Sequence, residues 1–118
     1  MFSLDWTDEA TDQYDALKKA AEKALAARLK TGKKKKSSKQ EGLFKQVHKT
    51  LEFLAANPKH PSLNSHRWES LQHEIVPGKK VKMWESYAQN DTPGAYRIFW
   101  CFGPGPQQIR IISITPHP

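Results

Sequence analysis

A chain of 118 residues with a formal net charge of +7 is long enough for one domain with a modest core. Its single cysteine, Cys101, excludes a disulfide within the chain and a metal site built from cysteines. No apolar stretch approaches the ~20 residues that span a bilayer, and residues 1–10 do not resemble a secretory signal. We therefore expect residues 1–118 to form one cytoplasmic domain, away from membranes, with a polyanion as its partner.

The first half of the chain predicts one strand followed by two helices. The stretch "FSLDW" (2–6) alternates apolar and polar residues, which is typical of a half-buried strand. Thr7 is a good N-cap, and apolar residues then recur every three or four positions, which predicts an amphipathic helix from about 8 to 30. The stretch "TGKKKKSSKQ" (31–40) predicts an exposed basic loop. A second helix is expected from about 41 to 56, because the prolines of "NPKHP" cannot continue it.

The second half predicts strands joined by short turns. The clearest strand is "YRIFWCF" (96–102), and "QQIRIISIT" (107–115) is the last. Weaker strand patterns occupy "RWESLQHEI" (67–75) and "VKMWESYA" (81–88), and the stretches "VPGKK", "NDTPGA" and "GPGP" have turn chemistry. We predict an α+β domain, in which an N-terminal strand and a helical hairpin pack on an antiparallel β-meander. The hairpin should cover one face of the sheet and leave the other partly open.

Arg97 lies in the middle of the clearest strand, between aromatic residues. An arginine there either packs its stem and pairs with an acid, or presents its planar guanidinium to a phosphate. If the "NDTPGA" hairpin pairs 84–88 with 96–100, Glu85 and Tyr87 come near Arg97. Glu85 is then either its ion-pair partner or a second site residue, and Tyr87 belongs either to the core or to the site.

His117 stands between two prolines in the last stretch of the sequence, "TPHP". It is either an inert tail residue or a proton donor, since imidazole is suited to phosphodiester cleavage near neutral pH. Such cleavage also needs a cation that stabilises the pentavalent phosphate, and Arg97 would serve. Because 107–115 should pair with 96–102, His117 is expected near the strand that carries Arg97.

Further basic residues are candidates for contacts with an RNA backbone. His66 and Arg67 fall in "HPSLNSHRW", where they either bind phosphate or simply make a loop polar. Lys79, Lys80 and Lys82 add positive charge at the end of a predicted hairpin. No spacing of histidines suggests zinc, and no glycine-rich phosphate loop is present, so we expect neither a metal nor another cofactor.

Three stretches resemble the RelE/ParE superfamily of toxins from type II toxin–antitoxin systems: "NPKHPSLNSHRWESL", "WESYAQNDTPGAYRIFW" and "ISITPHP". The resemblance spans nearly the whole chain and is strongest from residue 57 onward. It implies a small basic bacterial toxin that a cognate antitoxin neutralises. The RelE-like branch cuts mRNA in the ribosomal A site without a metal, with the 2′-hydroxyl as nucleophile, whereas the ParE-like branch poisons DNA gyrase.

The resemblance also implies roles for particular residues. Arg97 matches the arginine that stabilises the phosphate, and His117 matches by place a general acid near the C-terminus. The lysines expected on the preceding strand are replaced by Glu85 and Tyr87, which makes these two the candidates for the base, with Lys80 or Lys82 as alternatives. Three functions remain open: a ribosome-dependent mRNA endoribonuclease, a gyrase-binding toxin, and a non-catalytic basic interaction protein.

Overall fold

The computed structural model describes residues 1–31, 38–89 and 94–116, with the side chain of Glu69 excepted. Most of the predicted basic loop at 31–40, the first four residues of the "NDTPGA" turn and His117 lie outside the described residues. In chain order the elements are β1 (Ser3–Trp6), α1 (Asp8–Lys30), α2 (Lys39–Ala56), a 3₁₀ turn (Pro61–Leu63), β2 (His66–Val76), β3 (Lys79–Tyr87), β4 (Tyr96–Phe102) and β5 (Gln108–Pro116). This order confirms the predicted α+β class.

The five strands form one sheet in the order β1-β5-β4-β3-β2. Strands β2 to β5 are antiparallel neighbours, as the meander prediction requires. Between β3 and β4, Trp84 lies opposite Trp100 and Tyr87 lies opposite Arg97, which is the expected register. Glu85 and Arg97 therefore occupy neighbouring strands on one face of the sheet.

Strand β1 pairs with β5 in parallel, from Ser3 opposite Gln108 to Trp6 opposite Ile111. The sequence predicted β1 but not its partner. The pairing joins segments more than a hundred residues apart in sequence. Because no short turn connects them, no local sequence pattern predicts this contact.

Both helices begin at side-chain caps. Thr7 Oγ1 accepts a hydrogen bond from the Ala10 backbone N at 3.0 Å and donates to the Ile112 carbonyl at 2.7 Å, so the cap also ties α1 to β5. Helix α2 begins at Lys39, two residues earlier than predicted. The reason is a capping box, in which Ser38 Oγ accepts from the Glu41 backbone N while the Glu41 carboxylate accepts from the Ser38 backbone N.

Among the described residues, neither helix combines the length and the apolar composition that crossing a membrane requires.

An ion pair joins the two helices where α1 ends and α2 begins. Arg28 donates from Nε to Glu41 Oε2 at 3.2 Å and from Nη2 to Glu41 Oε1 at 2.9 Å. The hydrogen bonds from Arg28, followed by the one from the Ser38 backbone, lower the pKa of Glu41 from 4.5 to about 2. The pair therefore holds the helical hairpin closed at neutral pH.

The main core lies between the helices and one face of the sheet. Trp100 is its largest buried side chain; its indole N–H donates to Ser86 Oγ at 2.8 Å, and its ring stacks on Trp84. The residues of this core are Ala10, Val47, Leu51, Leu54, Leu63, Ile98, Trp100, Ile109, Ile111 and Ile114. On β4 the side chains alternate as predicted, with Ile98 and Trp100 toward the helices and Arg97 toward the other face.

The face of the sheet away from the helices carries a smaller apolar cluster of Ile75, Cys101 and Ile112, with Val81, Met83 and Phe99 packed against it. At its edge Arg110 Nε donates to Asp5 Oδ2 at 2.6 Å, and Arg110 Nη1 donates to the Ile75 carbonyl at 2.9 Å. Arg110 Nη1 also lies 3.3 Å from His73 Nε2. Burial, and then the charge of Arg110, lower the pKa of His73, so this ring accepts from Arg110 in its neutral form.

Replacing Glu41 tests the hairpin ion pair. A carboxylate whose pKa is lowered on folding stabilises the fold at pH values above its pKa in the unfolded chain, near 4.5. This contribution disappears as the pH falls through about 2. We expect Glu41→Gln to lower the melting temperature at pH 7 and the two proteins to converge toward pH 2. Circular dichroism melts across this range measure the difference. A difference that is the same at pH 3 and pH 7 would contradict the assignment.

Cys101 should be inert in the folded protein. It is fully buried, and burial raises the pKa of its thiol to about 11, so almost no thiolate exists at neutral pH. We expect Ellman's reagent to react with Cys101 at pH 7 only after unfolding in guanidinium chloride. Rapid reaction with the native protein would show that this face of the sheet opens in solution.

Candidate active site

A buried carboxylate and a buried guanidinium are in contact on the uncovered face of the sheet. Arg97 on β4 donates from Nη1 to Glu85 Oε2 on β3. Glu85 is fully buried and Arg97 is 5% exposed. Moving either charge out of water alone would cost several kcal/mol, so each is stable there because of the other.

His66 is the second basic residue in contact with Glu85. The register of β2 and β3 sets His66 opposite Glu85, and its Nε2 lies 2.6 Å from Glu85 Oε1. Its Nδ1 lies 3.3 Å from the carbonyl oxygen of Asn64. Each ring nitrogen therefore lies near an oxygen atom, although the contact with Glu85 Oε1 is not aligned as a hydrogen bond. The His66 side chain is 47% exposed, so it connects the buried carboxylate to solvent.

The backbone before β2 positions this ring. Asn64 ends the Pro61–Leu63 turn in the left-handed conformation, with a φ of 46°, which asparagine tolerates better than most residues. The chain thereby turns from the end of α2 into β2. The Asn64 carbonyl then lies beside the His66 ring that follows two residues later.

Aromatic side chains surround the charged group. The Tyr87 ring centroid lies 5.3 Å from the Arg97 guanidinium carbon, within cation–π distance, and 5.9 Å from the His66 ring. Trp68, next along the same face of β2, lies 6.1 Å from His66. We call Glu85, Arg97, His66 and Tyr87 the Glu85 cluster.

Arg97 has donor capacity that the Glu85 cluster does not use. Its buried Nε makes no hydrogen bond to any residue in 1–31, 38–89 or 94–116, and Glu85 Oε1 accepts no well-aligned hydrogen bond there although His66 is close. A guanidinium presents five N–H donors in a planar fork that matches the oxygens of a phosphate. Because Arg97 is buried, a phosphate reaches it only after the ion pair with Glu85 rearranges.

Three residues predicted for the site, Arg97, Glu85 and Tyr87, come together in the structure, and His66 joins them. His66 was predicted to contact RNA from a loop; it lies instead at the first position of a strand. Arg67 lies opposite Trp84, so alternation along β2 turns it to the other face of the sheet from His66.

The three lysines predicted to bind RNA lie at the far end of the β2–β3 hairpin. Lys79 and Lys80 are exposed, and Lys80 and Lys82 lie opposite Glu74 and Gln72. A strand rises about 3.4 Å per residue, so Lys80 lies roughly 17 Å along β3 from Glu85. These lysines are therefore not part of the Glu85 cluster.

His117, the predicted general acid, lies outside the described residues. The last register positions that the structure describes are Arg97 opposite Thr115 and Tyr96 opposite Pro116. The strand that precedes His117 in sequence therefore pairs beside Arg97, as the sequence predicted.

A cleft of about 270 Å³ opens at the Tyr87 end of β3, between α2 and the Pro61–Leu63 turn. Its lining combines a lysine, amides and hydroxyls with a few apolar groups: Gln46, Lys49, Thr50, Phe53, Ser62, Leu63, Asn64, Tyr87, Ala88 and Gln89. Over the part of the chain that the structure describes, no group of three or more histidine, cysteine or acidic residues is arranged to hold a metal ion.

No protein-family model and no curated protein matches the sequence. Solved structures do match over the whole chain. A YoeB/ParE toxin from Agrobacterium tumefaciens superposes with a TM-score of 0.58 at 11% identity, covering 100% of both chains. The YoeB dimer from Staphylococcus aureus gives 0.59 at 9% identity, covering 99% of this chain and 98% of that one. The YoeB–YefM complex from the same organism gives 0.55 at 9% identity, covering 100% and 99%.

These likenesses show the fold. The chain has the fold of the RelE/ParE superfamily toxins. The matching structures named above are those of YoeB and YoeB/ParE toxins. At about a tenth sequence identity the likeness carries no residue roles, so the chemistry must be argued from the Glu85 cluster itself.

The buried ion pair predicts a large and coupled effect on stability. Glu85→Ala or Arg97→Met alone leaves an uncompensated buried charge, and we expect each to cost about 3–5 kcal/mol of unfolding free energy. The double variant should cost clearly less than the sum, since it removes both charges. Urea unfolding followed by tryptophan fluorescence measures all three. As a control, Glu52→Ala breaks the exposed His48–Glu52 pair on α2 and should cost less than about 1 kcal/mol. Additive costs would contradict the coupling.

Proposed function

We propose that this protein is the toxin of a type II toxin–antitoxin system, and that it cleaves mRNA on the ribosome without a metal. The observation that carries the proposal is the contact of Glu85 with Arg97 on the sheet face that the helices leave uncovered. A carboxylate and a guanidinium in this position supply the base and the phosphate-stabilising cation that cleavage of RNA by its own 2′-hydroxyl requires.

The proposed reaction uses one proton acceptor and one proton donor. Glu85 takes the proton of the 2′-hydroxyl while the 2′-oxygen forms a bond to phosphorus. Arg97, oriented by the Tyr87 ring, stabilises the charge of the pentavalent phosphate. The bond from phosphorus to the 5′-oxygen breaks, and His117 donates a proton to that leaving oxygen. The products are a 2′,3′-cyclic phosphate and a free 5′-hydroxyl.

His117 is assigned as the acid from its place in the sequence. It follows Thr115 by two residues, and Thr115 lies opposite Arg97. This place in the sequence favours His117 over the other histidines as the proposed acid.

The remaining basic residues are proposed to bind RNA outside the reacting centre. Lys79, Lys80 and Lys82 at the hairpin end, with Arg67, would contact backbone phosphates and give the binding its salt dependence. The cleft beside Tyr87 offers space and polar groups for a nucleotide next to the cleaved bond.

A cognate antitoxin is the second proposed partner. The likeness to a YoeB–YefM complex supports it, as does the net charge of +7, which favours an acidic binding segment. We propose that the antitoxin covers the uncovered sheet face and masks Arg97, and that toxin, antitoxin and ribosome meet in the cytoplasm.

The second candidate function is a gyrase-binding toxin with no catalysis of its own. The burial of Glu85 and Arg97 favours it, because a buried ion pair can serve the fold alone. This candidate predicts inhibited DNA supercoiling in vitro and unaltered toxicity when His117 is replaced.

Primer extension on mRNA after induction tests the ribonuclease. We expect cuts within translated codons for the wild type. Arg97→Lys keeps the charge but loses the planar fork, and should lower cleavage on purified ribosomes about 100-fold or more. His117→Ala should lower it by a similar factor. His48→Gln, an exposed change on α2, serves as the control and should cleave like the wild type.

Two outcomes would reject this proposal. Undiminished cleavage by both Arg97→Lys and His117→Ala would reject the site. Toxicity with no cut in mRNA, together with inhibited supercoiling, would favour the gyrase-binding function instead.

A further inference from the structure

Glu85 has two basic partners, one beside each carboxylate oxygen. Arg97 contacts Oε2 from β4, and His66 contacts Oε1 from β2. The two partners differ in exposure, since Arg97 is almost fully buried whereas the His66 side chain is 47% exposed. Arg97 is therefore held inside the sheet, whereas His66 lies at the boundary between Glu85 and solvent.

The reaction proposed above makes conflicting demands on Arg97. The guanidinium must turn at least part of its fork toward the substrate phosphate, and this weakens its contact with Glu85. A fully buried carboxylate that loses its counter-charge favours the neutral acid, which cannot take a proton from the 2′-hydroxyl. A second cation on Glu85 removes this conflict.

We propose that His66 is the positioning residue for Glu85, and that its imidazolium keeps the carboxylate ionised and in place while Arg97 binds the substrate phosphate. The inference rests on the proposed ribonuclease function. It also gives His66 a place in the reaction other than the RNA contact expected from the sequence.

The surroundings of His66 suit this role. Glu85 and Tyr87 face the ring from β3, Trp68 flanks it on β2, and Arg97 lies behind Glu85 on β4. The Asn64 carbonyl oxygen lies 3.3 Å from the second ring nitrogen, Nδ1. Glu85 is the nearest charge and is negative, so it stabilises the imidazolium as the imidazolium stabilises it.

The inference predicts how cleavage responds to substitution of His66. His66→Gln keeps a polar side chain but no charge, and should slow cleavage by single-turnover measurement at least about tenfold. His66→Lys restores a cation and should recover most of the lost rate.

The matched control is His48. It forms the same kind of pair with a carboxylate, His48 Nε2 to Glu52 Oε1 at 3.1 Å, but on the exposed surface of α2. His48→Gln should leave the rate unchanged. If His66→Gln cleaves like the wild type, or if His66→Lys is as slow as His66→Gln while both keep the native circular dichroism spectrum, the inference is wrong.

Nitrogen NMR of the histidine rings in the full chain tests the contact without any cleavage. We expect the His66 ring, assigned by the signals that His66→Gln removes, to be an imidazolium at pH 7 in the wild type and to lose that form in Glu85→Gln. Identical His66 signals in the two proteins would overturn the inference whether or not the protein cuts RNA. If the wild type does not cleave, the ribonuclease proposal fails together with the catalytic purpose of His66, and the ring signals still decide whether His66 is the counter-ion of Glu85.

Discussion

The buried contact between Glu85 and Arg97 is the constraint on which the rest of the uncovered face depends. Each charge is stable away from water only beside the other, so β3 and β4 must pair in the single register that brings them together. A slip of one residue would turn Arg97 toward the helices, into the position of a neighbour such as Ile98. The ion pair thus selects the register, and the register in turn positions Tyr87.

The opposite face of the same two strands enforces the same register by different means. Trp100 hydrogen-bonds to Ser86 and stacks on Trp84, so β3 and β4 are tied beneath the core as well as across the Glu85 cluster. The backbone that carries the Glu85 cluster is therefore held by packing on the opposite face, to which the side chains of the cluster do not contribute. Rigid support of this kind keeps a cluster in place even when one of its members changes partner.

Most of the fold could be predicted from the sequence, because periodic patterns and turn residues are local signals. Helix α1 and the register of the hairpin that joins β3 to β4 were predicted correctly, and with them the approach of Glu85 and Tyr87 to Arg97. The earlier start of α2 depends on the reciprocal bonds of Ser38 and Glu41, which periodicity does not reveal. The contact of His66 with Glu85 depends on the register of β2, an irregular strand whose sequence pattern was weak. The sequence therefore identified His66 as a candidate but not its contact with Glu85. The roles of His117 and of the lysines remain predictions.

The parallel pairing of β1 with β5 has a consequence for the order in which the molecule assembles. During synthesis β1 emerges first, yet its neighbour in the sheet is the last strand described, which must insert between β1 and β4. Contacts this distant in sequence carry the largest loop-closure entropy and form slowly. Until β5 inserts, α1 lacks the carbonyl that Thr7 binds, and Arg97 lies on an open strand edge. The helices and the antiparallel strands β2, β3 and β4 can therefore form before the uncovered face is complete, and that face is completed only when β5 pairs with both β1 and β4.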